Sequence, residues 1–370
     1  MSSLTTPRSI RRFPRAGLLA AFGTLAPVVV WGSLAAQGLS GPGPGPSVQA
    51  AGPYRVAKRI PIGGEGGWDY LNVDAAHNRL YVSHGTHVVV VDLARDTVIG
   101  DIANTPGVHG IAFDDALGRG FTSNGRDSTV TIFDLSSLKE IARVNVGGAN
   151  PDAIGFDPFT KRVFTMNGRS DNATAIDAAS GKVVGHVELG GRPEEVATDG
   201  RGRLYINIES KSEIAEVDPK ALTVLRRWSI APCEGPSGIA IDVAHKRLFS
   251  VCDKVMAVSD LAAGKLLTTV PIGNGPDGAG FDAGLQRAFS SNGDGTLTVV
   301  KEAAAGKFTA EQTLPTQRGA RTMTVDPRTH RIYTATAEFG PAPAPTADRP
   351  RPRPTIVPNT FQVLVIEPVK

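Results

Sequence analysis

Seven short stretches carry one pattern: Tyr81-Val-Ser-His84, Phe121-Thr-Ser-Asn124, Phe164-Thr-Met-Asn167, Tyr205-Ile-Asn-Ile208, Phe249-Ser-Val-Cys252, Phe289-Ser-Ser-Asn292 and Tyr333-Thr-Ala-Thr336. Successive starts lie 40, 43, 41, 44, 40 and 44 residues apart. Each is aromatic, β-branched and small in composition, as a short strand is. A period near 40 built only from strand signals predicts propeller blades, none of which can bury its own faces alone.

The pattern extends outward from each tetrapeptide. Two residues before the aromatic stands an Arg (Arg79, Arg119, Arg162, Arg203, Arg247, Arg287, Arg331), and a short apolar strand ends upstream in Asp (Asp74, Asp114, Asp157, Asp199, Asp242, Asp282, Asp326). A third strand follows, as in His87-Val-Val-Val-Val-Asp92, and a fourth is introduced by Lys and closed by a Gly pair, as in Lys139 to Gly147-Gly148. We call the four strands A to D, counted outward from the axis. The seventh unit stops after strand C, while Arg55-Val-Ala-Lys-Arg-Ile-Pro-Ile-Gly-Gly64 has the form of a spare strand D. Pairing the two closes the ring and removes two exposed sheet edges. The expected fold is all-β: a seven-bladed β-propeller of four-stranded blades over 54–370, closed by an N-terminal strand.

These repeats resemble the YVTN-repeat (YncE-like) propeller family over roughly residues 54–370. The strand B tetrapeptides carry the resemblance; it matches at Asn124, Asn167 and Asn292 and departs at His84, Ile208, Cys252 and Thr336. The resemblance implies seven blades and an exported location. It implies no single activity, because propellers host binding, scaffolding and catalysis alike.

Residues 1–37 read as a signal peptide or membrane anchor. Arg11, Arg12 and Arg15 precede the uncharged run Leu18 to Ala36, the order of a secretory signal. The run is long enough to span a bilayer if uncleaved, although Pro27 interrupts it. Residues 38–53, with Gly41-Pro-Gly-Pro-Gly-Pro46, read as a linker. The expected location is periplasmic or extracellular, with membrane contact only through an uncleaved leader. Four of the 39 basic residues lie in the first 50 residues, which hold no acid, leaving 35 against 36 acids beyond. A body of net charge about −1 lacks the footprint of a nucleic-acid binder.

A repeat protein carries its own control: what recurs in every blade is scaffold, and what differs at equivalent positions is where function can reside. The recurrent Asp and Arg flank the A–B turn, where Asp caps the turn and is expected to pair with Arg. The variable polar residues fall in the D–A and B–C loops, around one mouth of the channel. They are Asp69, His84, His109, Asn124, Asp152, Asn167, Arg169, Glu194, Asn207, Glu209, Asp277, Asn292, Asp294, Arg318, Arg321 and Glu338. Convergent polar groups at a channel mouth are the default site, although Asn and Asp are also ordinary turn formers. His84 and His109 fall on this face and are the candidate metal ligands, with Asp69 as a further donor. Cys233 and Cys252, both in unit five, are expected to form a disulfide, with a redox pair or a metal site as alternatives. The Pro-rich basic segment 340–358 forms the seventh B–C loop and is a candidate lid or partner-docking element.

No G-x-S-x-G, C-x-x-C-H or Gly-rich phosphate loop is present. The first reading is therefore a binding or scaffold protein that engages a small molecule or protein at the channel mouth, with no cofactor implied. The alternative is a propeller enzyme on the same face, a lactonase-like hydrolase or a metal- or redox-cofactor protein. Single-stranded nucleic-acid binding comes last, resting on Arg318, Arg321 and the basic loop.

Overall fold

The three inner strands of a blade have no solvent face, while the outermost is largely exposed. In the strand Arg79–His84, Leu80 and Val82 pack toward one neighbouring blade and Tyr81 toward the other. Side-chain alternation thus hands successive residues to two different cores. The computed structural model describes residues 52–346, 352 and 354–369. The leader (1–37), nearly all of the linker (38–53) and the middle of the Pro-rich segment lie outside the described residues.

Seven four-stranded antiparallel sheets are present, each ordered A-B-C-D. The inner strands are Leu71–Asp74, Val108–Asp114, Pro151–Asp157, Pro193–Thr198, Ile239–Asp242, Pro276–Asp282 and Met323–Asp326. The last sheet runs Met323–Asp326, Arg331–Thr336, Gln362–Pro368, Tyr54–Pro61, so the N-terminal strand completes the seventh blade as expected. Gln312 of blade six ties this strand down. Its Oε1 accepts from the Tyr54 amide at 2.9 Å and its Nε2 donates to the Tyr54 carbonyl at 2.8 Å.

The hydrophobic core is seven cores. Each cluster of buried residues spans two adjacent blades. The one between blades seven and one holds Ile60, Phe361 and Val363 against Leu80, Val82 and Val89. Near the axis the inner strands approach too closely for side chains at some positions. A Cβ on Gly238 would lie 2.5 Å from the Ala279 amide, and one on Gly278 2.7 Å from that of Met323.

The recurrent Asp residues cap the A–B turns in all seven blades, for example Asp74 accepting from His77 N at 2.9 Å and Asp282 from Leu285 N at 3.0 Å. The residue before each Arg is left-handed, with φ between 54° and 60° at the five non-glycine positions. The expected Asp–Arg pairing is not what the arginines do. Arg119 and Arg162 donate to carbonyls of the next blade's C–D turn, Ala178 at 2.9 Å and Pro219 at 2.7 Å, and Arg79 likewise reaches Leu135. Arg203, Arg247, Arg287 and Arg331 pair with acids on the outer strands of their own blades.

Backbone bonds such as Gly125 N to Gly107 O (2.9 Å) and Gly168 N to Asn150 O (3.0 Å) join B–C turns to D–A segments, so the two loop sets share one face. Cys233 and Cys252 form a disulfide, fully buried, with Cα atoms 5.4 Å apart. Such bonds persist in oxidising compartments. Among the described residues no helix is long and apolar enough to cross a membrane.

Closure makes one prediction. A chain lacking Tyr54–Pro61 exposes the edge of Gln362–Pro368 and opens the seven-fold contact circle. It should aggregate or lose its sharp unfolding transition, measured by size exclusion and thermal melting. An unchanged monomer would show that the strand is dispensable.

Candidate functional site

Five residues before each capping Asp stands the first inward-facing position of a blade. Around the ring these are Asp69, His109, Asp152, Glu194, Ser237, Asp277 and Arg321. In blades two, three, four and six the residue sits in a β-bulge, where the A–B register shifts between Val108 and Ile111, Pro151 and Ile154, Pro193 and Val196, and Pro276 and Gly278. A bulge re-aims a side chain at the start of a strand. Here it turns one polar group per blade toward the channel.

Contacts run continuously through five blades. The Arg321 guanidinium pairs with Asp277 and lies 3.9 Å from Asp69. Asp69 Oδ2 is 2.6 Å from His109 Nδ1, which is 3.4 Å from Asp152 Oδ1. The arc is thus Asp277–Arg321–Asp69–His109–Asp152. The remaining two positions differ. Ser237 donates to the Pro276 carbonyl at 3.1 Å. The Glu194 carboxylate has no hydrogen bond or ion pair among the described residues.

The ring charges are strongly coupled. Burial, reinforced by Asp152, Glu209, Asp277 and Asp69, pushes the Glu194 carboxyl up to about 9. Burial raises Glu195 to about 8, although the Ile239 amide, donating at 2.7 Å, favours its charged form. Burial also raises Asp277 to about 7 and Asp152 to about 6, against the pull of Arg321 on both and of His109 on Asp152. For His109 burial opposes the imidazolium, but the Asp69 hydrogen bond and the Asp152 and Asp69 charges outweigh it and raise the pKa. Tyr70, next to Asp69, is held neutral by burial and by the surrounding carboxylates. Below the ring a cavity of about 260 Å³ is lined by inner strands of six blades, including Tyr70, Asn72, Glu195 and Thr324.

One group here has the composition of a metal site. Ligand atoms of Asp69, His109 and Asp152 lie within 4.8 Å of one another. A second such group, Asp74, His77 and Asp115, belongs to an A–B turn on the opposite face. Its His77–Asp74 contact of 2.7 Å recurs as His245–Asp242 at 2.8 Å, so it is turn scaffold by the repeat criterion.

The other candidates divide by what holds them. Asn124, Asn167 and Asn292 are fully buried and face into their own blades. Asn167 Nδ2 donates to Asn172 Oδ1 at 2.9 Å and Thr174 Oγ1 at 2.8 Å, and Thr165 donates to its Oδ1 at 3.0 Å. Asn124 and Asn292 make the same clamp through Thr129 and Thr131, and through Thr296 and Thr298. With every amide atom engaged, they fix the B–C hairpin. Asn207 is also buried and latches blade four to blade five, donating to the Ser237 carbonyl at 2.8 Å.

His84 lies away from the ring. Its ring stacks on Phe361 at 4.3 Å, its centroid is 5.0 Å from that of His87, and burial lowers its pKa to about 4. Its contacts and those of His109 do not overlap, so the two candidate metal ligands are not brought together. His84 instead borders a separate outer cleft of about 890 Å³ with His87 and Arg143. Glu209 pairs with Arg192, Asp294 caps its own turn through Thr296 at 2.7 Å, and Arg169, Arg318 and Glu338 are exposed. Glu195 and Tyr70 belong to the site although they stand outside the candidate set. The signal for them was their offset of four from the capping Asp.

Compared with known proteins, the chain matches no family model and no curated sequence.

Two outcomes are expected. Asn167→Ala should cost roughly 2–4 kcal/mol of stability by denaturant unfolding, because three buried hydrogen bonds are lost and their partners stranded; a near-neutral effect would return this residue to the site. The second concerns pH. Glu194, Glu195, Asp277 and Asp152 keep protons that the unfolded chain has released, so their contribution is full below about pH 4. It is lost as pH rises through their folded values, about 6 to about 9. Stability should fall across this window, and Glu194→Gln should flatten the slope. A flat wild-type profile contradicts the clustering.

Proposed function

We propose that this chain is an exported propeller of the YVTN-repeat type that binds the cationic group of a small ligand at its channel mouth. The observation that carries the reading is the unpaired Glu194 carboxyl, set among Asp152, Asp277, Asp69 and Glu195, whose mutual repulsion favours a bound positive charge. Arg321 and His109 offset only part of five carboxyls. An ammonium group or metal cation displaces the protons they retain, as linkage requires. The leader-like N-terminus and the buried disulfide support export, and the seven in-phase repeats support the family.

The test is calorimetric titration of the full chain with putrescine and with phenethylamine. Binding should tighten as pH rises from 6 to 9 and release protons, read from buffers of different ionisation enthalpy. Glu194→Gln should weaken binding at least tenfold. No binding by either amine, or binding indifferent to pH and to Glu194→Gln, would refute the reading.

A metal-dependent hydrolase on the same ring is the second reading, favoured by the convergence of Asp69, His109 and Asp152. In it the two carboxylates and the imidazole would hold a divalent ion that activates water, and Glu194 would hold or deliver a proton. One equivalent of metal by elemental analysis, lost in His109→Ala, would favour this reading over the first.

A further inference from the structure

Beside the acidic ring lies a second cavity of opposite character. It has a volume of about 370 Å³ and is lined by Trp68, Arg318, Gly319, Arg321, Phe339 and Ile356 among others. Among the described residues no carboxylate lines it. The Arg318 guanidinium lies over the Phe339 ring, 5.5 Å from its centroid, and makes no ion pair among the described residues. Trp68 stands between Phe339 at 6.0 Å and Phe361 at 5.3 Å, and its indole N–H is buried with no acceptor among the described residues.

The walls are held by the two ends of the Pro-rich segment. Gly340 N donates to the Thr355 carbonyl at 2.8 Å and Val357 N to that of Glu338 at 2.9 Å, a short antiparallel pairing that fixes Phe339 and Ile356 opposite each other. The cavity adjoins the ring at one point. Trp68 adjoins Asp69 in the chain, and Arg321 lines the cavity while pairing with Asp277. Among the described residues, donors without acceptors and aromatic walls therefore stand next to Asp69, the ring carboxylate that follows Trp68 in the chain.

We propose that this cavity takes the carboxylate and flat apolar body of a zwitterionic, amino-acid-like ligand whose ammonium group occupies the ring; the proposal rests on the cation reading above. Arg318 receives the carboxylate, for which a guanidinium offers paired donors. Trp68 and Phe339 hold the apolar body face or edge on, and the indole N–H gains the acceptor it lacks. The two half-sites discriminate jointly: an amine alone leaves Arg318 unpaired, and a carboxylate alone meets the acids of the ring.

The experiment titrates the full chain at pH 8 with L-phenylalanine, phenethylamine and 3-phenylpropionate, in the wild type, Arg318→Gln and Glu194→Gln. Phenylalanine should bind at least tenfold more tightly than either analogue. Arg318→Gln, at an exposed position, should remove that advantage while leaving phenethylamine unchanged. Glu194→Gln should weaken phenethylamine and spare 3-phenylpropionate, and Asp69→Asn, at the ring carboxylate that adjoins Trp68, should weaken phenylalanine. Trp68→Phe, which keeps an aromatic wall and deletes the N–H, should weaken phenylalanine several-fold. Equal affinity for phenylalanine and phenethylamine, untouched by Arg318→Gln, overturns the proposal and leaves the cation reading standing. Binding of 3-phenylpropionate alone overturns the cation reading and, with it, the zwitterion. Binding of none overturns both.

Discussion

Everything in this molecule depends on the fact that the three inner strands of a blade have two apolar faces and no solvent face. A lone sheet of this composition would leave both in water, so each blade is stable only between two others. The requirement propagates around the ring until it returns to its start, where Ile60 and Phe361 meet Leu80 and Val82. The pairing of Tyr54–Pro61 with Gln362–Pro368 joins the two ends of the circle, and the two-way hydrogen bond between Tyr54 and Gln312 fixes that strand against blade six as well.

The same constraint decides what was legible in the sequence. Period, blade number and closure could be read because burial on both faces dictates strand composition in all seven units. The Asp caps could be read because a turn amide needs a nearby acceptor. The arginines could not. Arg119 ends on a carbonyl of the next blade, a partner some 60 residues away that no local pattern encodes. The asparagines read two ways for a related reason. Asn124, Asn167 and Asn292 end a strand on the loop face, which suits a ligand contact and a hairpin clamp equally well. The threonines after them, Thr129 and Thr131 for Asn124, were the distinguishing signal. His84 shows the converse: where that clamp is absent, the residue is taken up by an aromatic stack with Phe361.

The ring itself was half visible. Its charged and imidazole members stood among the variable loop residues, but mixed with turn formers and surface charges. Their common offset of five from the capping Asp separates them, and the bulges at four of the seven strands supply the physical reason. Glu195 and Tyr70, one step further in, were passed over because an offset of four is otherwise occupied by small residues or Thr322.

Gathering five carboxyls at one mouth works against the fold. Asp277, Asp69 and Asp152 are relieved by Arg321 and His109, but Glu194 has no partner among the described residues, and its burial, reinforced by the neighbouring carboxylates, raises its pKa. A scaffold selected for stability alone would place a second Ser or a Gly there, as blade five does at Ser237. Retaining an acid at the one unpaired position of an otherwise continuous arc makes sense if a positive charge arrives from solution. The neighbouring cavity has the opposite imbalance, with Arg318 and the Trp68 indole lacking acceptors. Unmet demands of opposite sign thus stand on one rigid rim, each a cost to the fold alone, and charged groups arriving from solution would relieve them.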